Sequence, residues 1–347
     1  MQLIYPICVD FSTRFAIVEA FFNLVLKETV LRFPLSLPSE KEFDAVGFGL
    51  NAVDHLVVVP AYPAFDTKTR LREHVQAAGG QTASAMVGLQ RLGLRTAYSG
   101  RFGSDAEGQF GLASLKTEGV NLEYAETIEG ARNQIAFIVI DERSGERTVI
   151  WDRDERLAYS ADDAPSELAA RGRVLHVDAH DPPACVRMAQ AAREAGVIVS
   201  ADIDNIYDGL PELLPLVDIL ISSKEFPQRL TGLHNEHASL IELKARYGCA
   251  VVGMTLGARG ALLYTGSGFL ESPAYAVPNG CRDTTGAGDA FHAGFLYGLL
   301  CGEDMETSLR LANATAALKC RALGARTTLP AKDELQNFMK QAQPLGA

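Results

Sequence analysis

The sequence predicts an α/β protein built on a central, mostly parallel β-sheet that is flanked by helices. From Arg173 onward, short apolar segments such as RVLHVDA and VIVSADI alternate with segments of helical spacing. Apolar runs separated by helices are typical of parallel strands buried on both faces. The chain has 347 residues, 47% of them hydrophobic, enough for one large domain. Two β-rich regions, about 51–75 and 132–151, indicate a second, smaller sheet.

Charge and cysteine content exclude several functional classes. The net charge of −11 argues against nonspecific binding to nucleic acid or to anionic membranes, because both need basic patches. The six cysteines form no C-x-x-C pair and no His/Cys cluster with zinc spacing. Scattered cysteines of this kind are usually core residues in a reducing compartment. We therefore expect a cytoplasmic protein with no nucleic-acid or membrane partner.

Residues 1–42 differ from the rest and are interpreted as an N-terminal extension. The stretch FAIVEAFFNLVLKETVLRF is apolar but is interrupted by Glu19, Lys27 and Glu28, so it is too polar for a spanning helix. It also lacks the basic start and cleavage site of a signal peptide. We expect an appended, poorly ordered amphipathic helix; a wrongly chosen upstream start codon is the alternative. The main domain is predicted to span 43–345.

The elements of the main domain follow in order from local patterns. FDAVGFGLNAVDHLVVV predicts two strands joined by a glycine-containing bend, and QTASAMVGLQRLG predicts a helix that ends at Gly93. RTAYSGRFG is strand-like, and a second helix is expected to start at Asp105. QIAFIVIDERSGERTVIW predicts a β-hairpin around a Ser-Gly turn.

Polar or glycine-rich segments directly follow five of the predicted strands. They read GFGLNAVD, VDAHD, ADIDN, SSKE and TLGARG. Ligands of open parallel sheets bind at the carboxyl ends of the strands, so a site is expected where these segments meet. Asp178, His180, Asp202 and Asp204 belong to them, and one or two of these side chains should line the cleft.

The most informative stretch is NGCRDTTGAGDAFHAGFLYGLL, in which Asp289 follows a Gly-Ala-Gly turn at the start of an apolar helix. One interpretation is a simple helix cap, because Asp complements the helix dipole. The other is an anion site made of unpaired backbone N–H groups, with Asp289 accepting the proton of an attacking hydroxyl. That arrangement suits phosphoryl transfer to an alcohol. The chain has no P-loop motif and no Rossmann glycine spacing.

This stretch resembles the C-terminal signature of the ribokinase-like, phosphofructokinase-B family of carbohydrate kinases. AAGGQTASAMVGLQRLGLRTAYSGRFGSDAEG is similar to the N-terminal signature of that family, GLNAVDHL to its sugar-contacting loop, and TLGARGALL to its nucleotide loop. GERTVIWDRD and AALKCRALGAR resemble the ketohexokinase and sulfofructose-kinase branches. The resemblance covers about 43–330 and implies a three-layer ribokinase-like fold with a small β lid.

The resemblance implies a role for each matching residue. Asp289 matches the catalytic base, and Gly286, Ala287 and Gly288 match the anion hole for the transferred phosphoryl group. The residues that match sugar contacts are Asp54, Gly79, Gly80, Gln81, Ser84 and Arg147. Arg147 has an alternative reading as a solvated hairpin charge. Ser84 stands where the family commonly has Asn, which argues against ribose as the substrate.

Nucleotide and metal sites follow from the same resemblance. Thr255, Gly257 and Gly260 match the nucleotide loop. Glu225 is displaced from the position of the family's glutamate near magnesium; it is either close to magnesium and phosphate or a surface residue at a helix start. We expect Mg²⁺ to bind mainly through the phosphates of ATP. Asp283 and the backbone near Thr285 match a monovalent-cation site, such as one for K⁺, in some members.

The sequence therefore predicts an ATP-dependent sugar kinase, with a ketohexose-type substrate favoured. The alternatives are a nucleoside or phosphosugar kinase of the same fold and a catalytically weak sugar or nucleotide sensor. For the phosphosugar case, Arg147, Arg153 or Arg101 could supply the extra positive charge. Exposed lid edges seek a partner strand, so a homodimer through the lid is expected.

Overall fold

The structure, a computed structural model, describes residues 32–346. The predicted helix of the N-terminal extension falls on residues that lie almost wholly outside this range. Within 32–346, no helix combines the length and the apolar character that crossing a membrane would need.

The described strands fall into a large sheet, a smaller sheet and a two-stranded pair. In chain order they are β1 (Phe43–Phe48), β2 (Ala52–Val59), β3 (Glu73–Gly79), β4 (Thr96–Ser99), β5 (Arg101–Gly103), β6 (Glu126–Ile128), β7 (Ile135–Asp141), β8 (Arg147–Asp152), β9 (Gly172–Val177), β10 (Ile198–Ile203), β11 (Ile219–Ser223), β12 (Val251–Thr255), β13 (Ala261–Tyr264) and β14 (Phe269–Ser272).

The large sheet has eight strands in the order β14-β13-β12-β11-β10-β9-β1-β4. The pairs from β4 to β12 are parallel, and β13 and β14 add an antiparallel edge. The parallel strands are apolar throughout because both of their faces are covered; β10, for example, is buried at every position. The predicted α/β class with a mostly parallel central sheet is confirmed.

Ten α-helices of the described chain accompany this sheet. They are α1 (Gln81–Arg91), α2 (Ala106–Thr117), α3 (Ser166–Ala169), α4 (Pro182–Glu194), α5 (Leu210–Leu213), α6 (Glu225–Thr231), α7 (Glu236–Tyr247), α8 (Ala287–Cys301), α9 (Met305–Lys319) and α10 (Lys332–Gln341). Helix α2 starts where the sequence predicted, because the Asp105 side chain accepts a hydrogen bond from the Gly108 amide.

Helix α8 is buried along almost its whole length and packs against α1 and α9. Close approach is possible because small residues face the contacts. A Cβ added at Gly88 of α1 would lie 2.6 Å from the Cβ of Ala293, and one added at Gly298 would lie 2.4 Å from Ser308 Oγ. Tight packing fixes the direction of α8, and therefore the position of its N-terminus.

The smaller sheet has the strand order β3-β2-β7-β8. Strands β7 and β8 form the predicted antiparallel hairpin, and β2 pairs with β7 in parallel. One face of this sheet is buried around Leu56 and Ile138. Large apolar side chains also stand exposed on it, namely Phe137, Val149, Ile150 and Trp151.

Candidate active site

A cavity of about 740 Å³ lies between the carboxyl ends of the central strands and the smaller sheet. Each of the five polar segments singled out in the sequence contributes at least one lining residue. These contributions are Leu50 and Asp54, His180, Asp202 and Asp204, Ser222 and Ser223, and Thr255, Gly257 and Gly260. The segments are remote in sequence, and the parallel sheet brings them to one edge, as expected.

The N-terminus of α8 opens into this cavity through the turn at Gly286, Ala287 and Gly288. Gly286 has φ 77°, and a Cβ added there would lie 2.7 Å from Ala325 Cα, so only glycine fits without strain. The Ala287 amide donates to the Thr284 carbonyl at 3.1 Å, whereas no residue within 32–346 accepts from the Gly288 amide. A Cβ at Gly288 would meet open space. The turn therefore offers a free amide and a positive helix end to an anion.

Asp289 lies in the first turn of α8 beside this anion site, and its side chain is largely buried. Burial raises its pKa well above the ordinary value, and the carboxylates of Asp202 and Asp54 raise it further, while Arg147 and Arg326 oppose the shift. A carboxylate with a raised pKa accepts a proton from a hydroxyl more readily than an ordinary one. Asp289 is the third residue of α8, and the N-cap residue is Gly286, so no side-chain cap hydrogen bond forms at this helix start.

Asp54 on β2 also lines the cavity. No side chain or amide of the described residues donates a hydrogen bond to its carboxylate. Burial raises the pKa of Asp54 to about 7, and Arg326 opposes this shift. A buried carboxylate with free acceptor positions is suited to hold the hydroxyls of a ligand.

Gly79 and Gly80 allow the backbone to pass close to Asp54. A Cβ added at Gly79 would lie 2.2 Å from the Oδ2 atom of Asp54, and one at Gly80 would lie 2.4 Å from Asn51 Cα. Gly80 also has φ 93° at the start of α1. Gly80 and Gln81 line the cavity, whereas Gly79 shapes it from behind.

Arg326 is a site residue that the sequence reasoning missed. It is 5% exposed and donates to the Gly79 carbonyl, to Ser84 Oγ at 3.2 Å and to Ser114 Oγ at 3.3 Å. Burial lowers its pKa to about 10. Arg326 therefore holds the glycine pair in place and puts positive charge near the cavity. The signal was available in the stretch AALKCRALGAR, where Lys319, Arg321 and Arg326 interrupt a run of apolar residues.

The structure does not bring Ser84 to the cavity as the resemblance implied. Its side chain is fully buried, and its hydroxyl accepts the hydrogen bond from Arg326 described above. Ser84 thus supports the glycine pair instead of facing a ligand. Arg147 does line the cavity, and its guanidinium donates to Thr284 Oγ1 at 2.7 Å, directly before the α8 turn.

Glu225 is also not among the cavity residues. It is the first residue of α6, is exposed, and lies 3.6 Å from the Lys224 ammonium. Phe226, the next residue, takes the inward position and is fully buried. A one-residue displacement along a helix turns a side chain by about 100°. The displacement seen in the sequence therefore points Glu225 away from the site.

The predicted nucleotide loop follows β12 and lines the other end of the cavity. Gly257 and Gly260 have φ 59° and 95°, and the Leu256 amide donates to the Gly260 carbonyl at 2.7 Å. A Cβ at Gly260 would lie 2.0 Å from the Ser272 carbonyl oxygen. Most of the remaining residues at this end are apolar: Ala274, Tyr275, Ala276, Val277, Ala316, Ala317 and Leu345. A flat aromatic group such as a purine fits a wall of this kind.

Of the four residues left open in the sequence, His180, Asp202 and Asp204 line the cavity and Asp178 does not. Asp178 is fully buried and accepts from the Leu50 amide at 2.6 Å and from Thr82 Oγ1 at 2.9 Å. It therefore fixes the loop after β1. Asp202 lies 3.4 Å from His292 Nε2; burial would raise its pKa, but His292 lowers it below the ordinary value.

The residues that match a monovalent-cation site do not fit an added cation. Asp283 is fully buried, and the Lys319 ammonium donates to its carbonyl oxygen at 2.9 Å and lies 3.6 Å from its carboxylate. The carboxylate also accepts from the amides of Thr285 and Gly324, each at 2.8 Å. A positive charge is therefore already built into this place. Lys319 was the second residue missed in the sequence.

The described residues of this site do not form a complete set of protein ligands for a divalent metal ion. Across residues 32–346, no group of three or more His, Cys, Asp or Glu side chains is arranged to hold a metal ion. The carboxylates of Asp202 and Asp204 do stand on the cavity wall. They fit an ion that keeps most of its ligands from water and from a bound phosphate.

Comparison with known proteins agrees with the motifs. The family model described as pfkB family carbohydrate kinase matches residues 48–332. An uncharacterized sugar kinase from Archaeoglobus fulgidus is 31% identical over 256 residues, covering 70% of this chain and 98% of that protein. A fructokinase from Klebsiella pneumoniae is 32% identical over 292 residues, covering 76% of this chain and 92% of that protein. The crystal structure of a putative ribokinase from Agrobacterium tumefaciens superposes with a TM-score of 0.79 at 28% identity, covering 86% of this chain and 98% of that one.

The chain belongs to the pfkB family of carbohydrate kinases. The family resemblance and the ribokinase-like fold inferred from the sequence are confirmed, and so is the assignment as a phosphotransferase that acts on hydroxyl groups. The closer similarity to the ketohexokinase and sulfofructose-kinase branches stays a prediction.

Proposed function

We propose that this family member transfers the γ-phosphoryl group of ATP to a hydroxyl of a neutral sugar, with a ketohexose favoured. One observation carries the proposal: Asp289 and the free amide of Gly288 share a cavity with the unpaired carboxylate of Asp54. The first two groups suit the chemistry at phosphorus, and the third suits a polyhydroxyl substrate. Residues 43–345 would form the kinase domain, with segments near 51–75 and 132–151 as its lid.

In the proposed reaction, Asp54 accepts hydrogen bonds from sugar hydroxyls and orients the sugar towards the α8 turn. The oxygen of the sugar hydroxyl bonds to the γ-phosphorus of ATP, and ADP leaves. The Asp289 carboxylate accepts the proton of that hydroxyl. The amide of Gly288 and the positive end of α8 stabilise the charge on the phosphoryl oxygens. Arg147, which already contacts Thr284 beside the turn, adds a positive charge from the lid.

ATP would lie with its base against the apolar wall around Tyr275 and Val277 and its phosphates towards Gly288. Mg²⁺ would be held by these phosphates and water, with Asp202 and Asp204 nearby, and would neutralise charge on the phosphates. Closure of the lid over the sugar would exclude water and limit hydrolysis of ATP.

Charge supports a neutral sugar over a phosphosugar. Four carboxylates line the cavity, from Asp54, Asp202, Asp204 and Asp289, and among the lining arginines and lysines of the described chain there is only Arg147. The other two arginines considered from the sequence are paired elsewhere. Arg153 forms hydrogen bonds of 2.9 and 2.8 Å with Asp181, and Arg101 donates to Glu126 at 2.8 Å. A second phosphate would therefore find Arg147 as the one lining cation of the described residues and would be repelled by the carboxylate of Asp202, whose pKa is lowered.

A nucleoside is the second candidate substrate, because one observation favours it. The lid side of the cavity presents Ala136, Ile138, Val149 and Trp151, an apolar and aromatic surface that could cover a base. A sugar alone would use little of this surface.

The strands of the lid also expose Phe137 and Ile150 outside the cavity, which supports the proposed homodimer through the lid.

The test is an ADP-release assay with Mg·ATP and a panel of acceptors. The panel holds fructose and other ketohexoses, sulfofructose, ketodeoxygluconate, ribose, phosphosugars and nucleosides, with a reaction lacking acceptor as the control. The proposal expects the strongest release of ADP with a neutral ketohexose. Turnover with nucleosides alone would favour the second candidate, and release of ADP with no acceptor dependence would contradict both. A sensor would shift its melting temperature with ligand and release no ADP.

A further inference from the structure

Lys319 is a buried ammonium group directly beneath the anion-binding turn. It is the last residue of α9, and neither its side chain nor that of Asp283 is exposed. Its Nζ atom lies 2.9 Å from the Asp283 carbonyl oxygen and 3.6 Å from the Oδ2 atom of the same residue. Lysine is among the residues least often buried, and it is buried almost only when it has a partner. This placement therefore calls for a reason.

The partner of Lys319 is the residue that connects the turn to the rest of the domain. One oxygen of the Asp283 carboxylate accepts from the Thr285 amide and the other from the Gly324 amide, each at 2.8 Å. The turn itself packs on the same segment, because Gly286 lies against Ala325. Asp283 thus clamps the start of the anion-binding turn to the chain that follows α9.

A buried carboxylate in this position would repel an incoming phosphate unless a positive charge balances it. Lys319 supplies that charge from within the chain. Burial lowers the pKa of Lys319, and Asp283 opposes the shift. Cys320 and Asp289 also raise the pKa of Lys319, and Arg147 lowers it. An exchangeable cation placed beside Asp283 would meet the Lys319 ammonium in a site closed to water.

We propose that Lys319 is the resident cation of the anion-binding turn. Its ammonium neutralises Asp283 and positions residues 283–288 for the phosphoryl group, so that the enzyme needs no K⁺ or other monovalent activator. Lys319 touches neither ATP nor sugar and acts as a positioning residue through Asp283. The inference rests on the proposed function for its kinetic readout, but nucleotide binding provides a readout that is independent of the acceptor.

The first arm of the test uses the wild-type protein with choline as the monovalent cation, and then with Na⁺, K⁺ or NH₄⁺ at equal ionic strength. The expected result is the same turnover and the same affinity for Mg·AMP-PNP in all four salts. Activation by K⁺ over choline, or tighter nucleotide binding only in K⁺, would overturn the proposal.

The second arm removes the ammonium in two ways. Lys319→Ala leaves space for an ion, and turnover in choline should fall by about 10²-fold, the effect of a misplaced turn, with partial recovery in K⁺ or NH₄⁺. Lys319→Met removes the charge but fills the space, so it should lose turnover without recovery in any salt. Lys244 gives the matched control: its ammonium donates to the carbonyls of Cys249 and Ala250, so Lys244→Ala should show no salt dependence.

The outcomes separate this inference from the proposed function. Lys319→Ala could be folded by circular dichroism and still lose turnover that no cation restores. That result would show only a structural role for Lys319 and would overturn the inference. If Lys319→Ala fails to fold in choline, K⁺ or NH₄⁺ should raise its melting temperature and Na⁺ less so; no such difference would count against the proposal. Nucleotide affinity that is independent of K⁺, together with no acceptor in the panel, would reject the sugar kinase and leave the role of Lys319 standing.

Discussion

The two ends of the cavity are built in different ways. The phosphoryl end is formed by one short stretch, residues 283–289, whose shape is fixed by glycine conformation, by the start of a buried helix and by the clamp on Asp283. The sugar end is assembled from strands β2, β7 and β8 and from loops that are far apart in the chain. The groups for the chemistry at phosphorus are therefore neighbours in the chain, whereas the choice of substrate depends on how distant segments pack together.

Loss of the Asp289 carboxylate should reduce activity more than any other substitution considered for the phosphoryl end. Asp289→Asn keeps the size of the side chain but removes the proton acceptor, so kcat should fall by at least about 10²-fold, the low end for a lost general base. The affinity for sugar should change little. Asp333 in the first turn of α10 is exposed, and Asp333→Asn is the matched control with unchanged kinetics. Turnover of Asp289→Asn close to the wild-type value would remove Asp289 from the mechanism.

The second substitution adds a methyl group in the anion hole without disturbing the fold. A Cβ at Gly288 meets open space, so Gly288→Ala should leave the melting temperature unchanged while the methyl group hinders the phosphoryl group. We expect kcat to fall by roughly 10²-fold, comparable to the loss of one oxyanion donor. Gly268→Ala is the control, because a Cβ there also meets open space and Gly268 is remote from the cavity lining. Equal kinetics for the two variants would refute the anion-hole assignment.

The third prediction addresses the sugar end. Asp54→Asn removes a charged acceptor, and a hydrogen bond to a charged group contributes about 1.5–3 kcal/mol, so KM for the sugar should rise by at least about tenfold. The KM for ATP should stay the same, because in the proposed reaction Asp54 contacts the sugar and not the nucleotide. A lower kcat with an unchanged KM for the sugar would instead assign Asp54 to the phosphoryl end and would contradict the contrast between the two ends.

The smallest effect is a pH dependence that belongs to the sugar end. The raised pKa of Asp54, about 7, means that its carboxyl group is protonated below neutral pH and ionised above it. Because the ionised form is the acceptor for sugar hydroxyls, kcat/KM for the sugar should rise with pH through about 7. This step should be absent in Asp54→Asn, whereas a rise that both proteins share belongs to the ionisation of Asp289, whose pKa burial raises well above its ordinary value. A profile that keeps this step in the variant would assign the step to another group.

The same contrast explains how much could be predicted from the sequence. The glycine turn and Asp289 were identified because a helix start, two glycines and a carboxylate are neighbours in the chain. Lys319 and Arg326 were missed because their partners, Asp283 and Gly79, are 36 and 247 residues away. Both stand in AALKCRALGAR, where basic residues interrupt an apolar stretch, and a buried basic residue needs a partner.

The sequence was a weaker guide to the direction of single side chains. Ser84 and Glu225 were placed at the site by their position in a motif, yet Ser84 faces Arg326 and Glu225 faces solvent. Strand and helix positions follow from apolar periodicity, which the core enforces. Which of two adjacent residues points into a cavity depends on the register of packing, and Phe226 shows that the more apolar residue took the inward position beside Glu225.

Four lining carboxyl groups and a single lining arginine of the described residues, Arg147, favour a neutral sugar as the substrate. The most direct measurement is the ratio of kcat/KM for fructose to that for fructose 1-phosphate and fructose 6-phosphate, with Mg·ATP held saturating. The account predicts a ratio well above one for both phosphosugars, and a ratio that rises further in Arg147→Gln. A preference for either phosphosugar would contradict it, and Arg147 would then be assigned as a contact of the phosphate on the sugar.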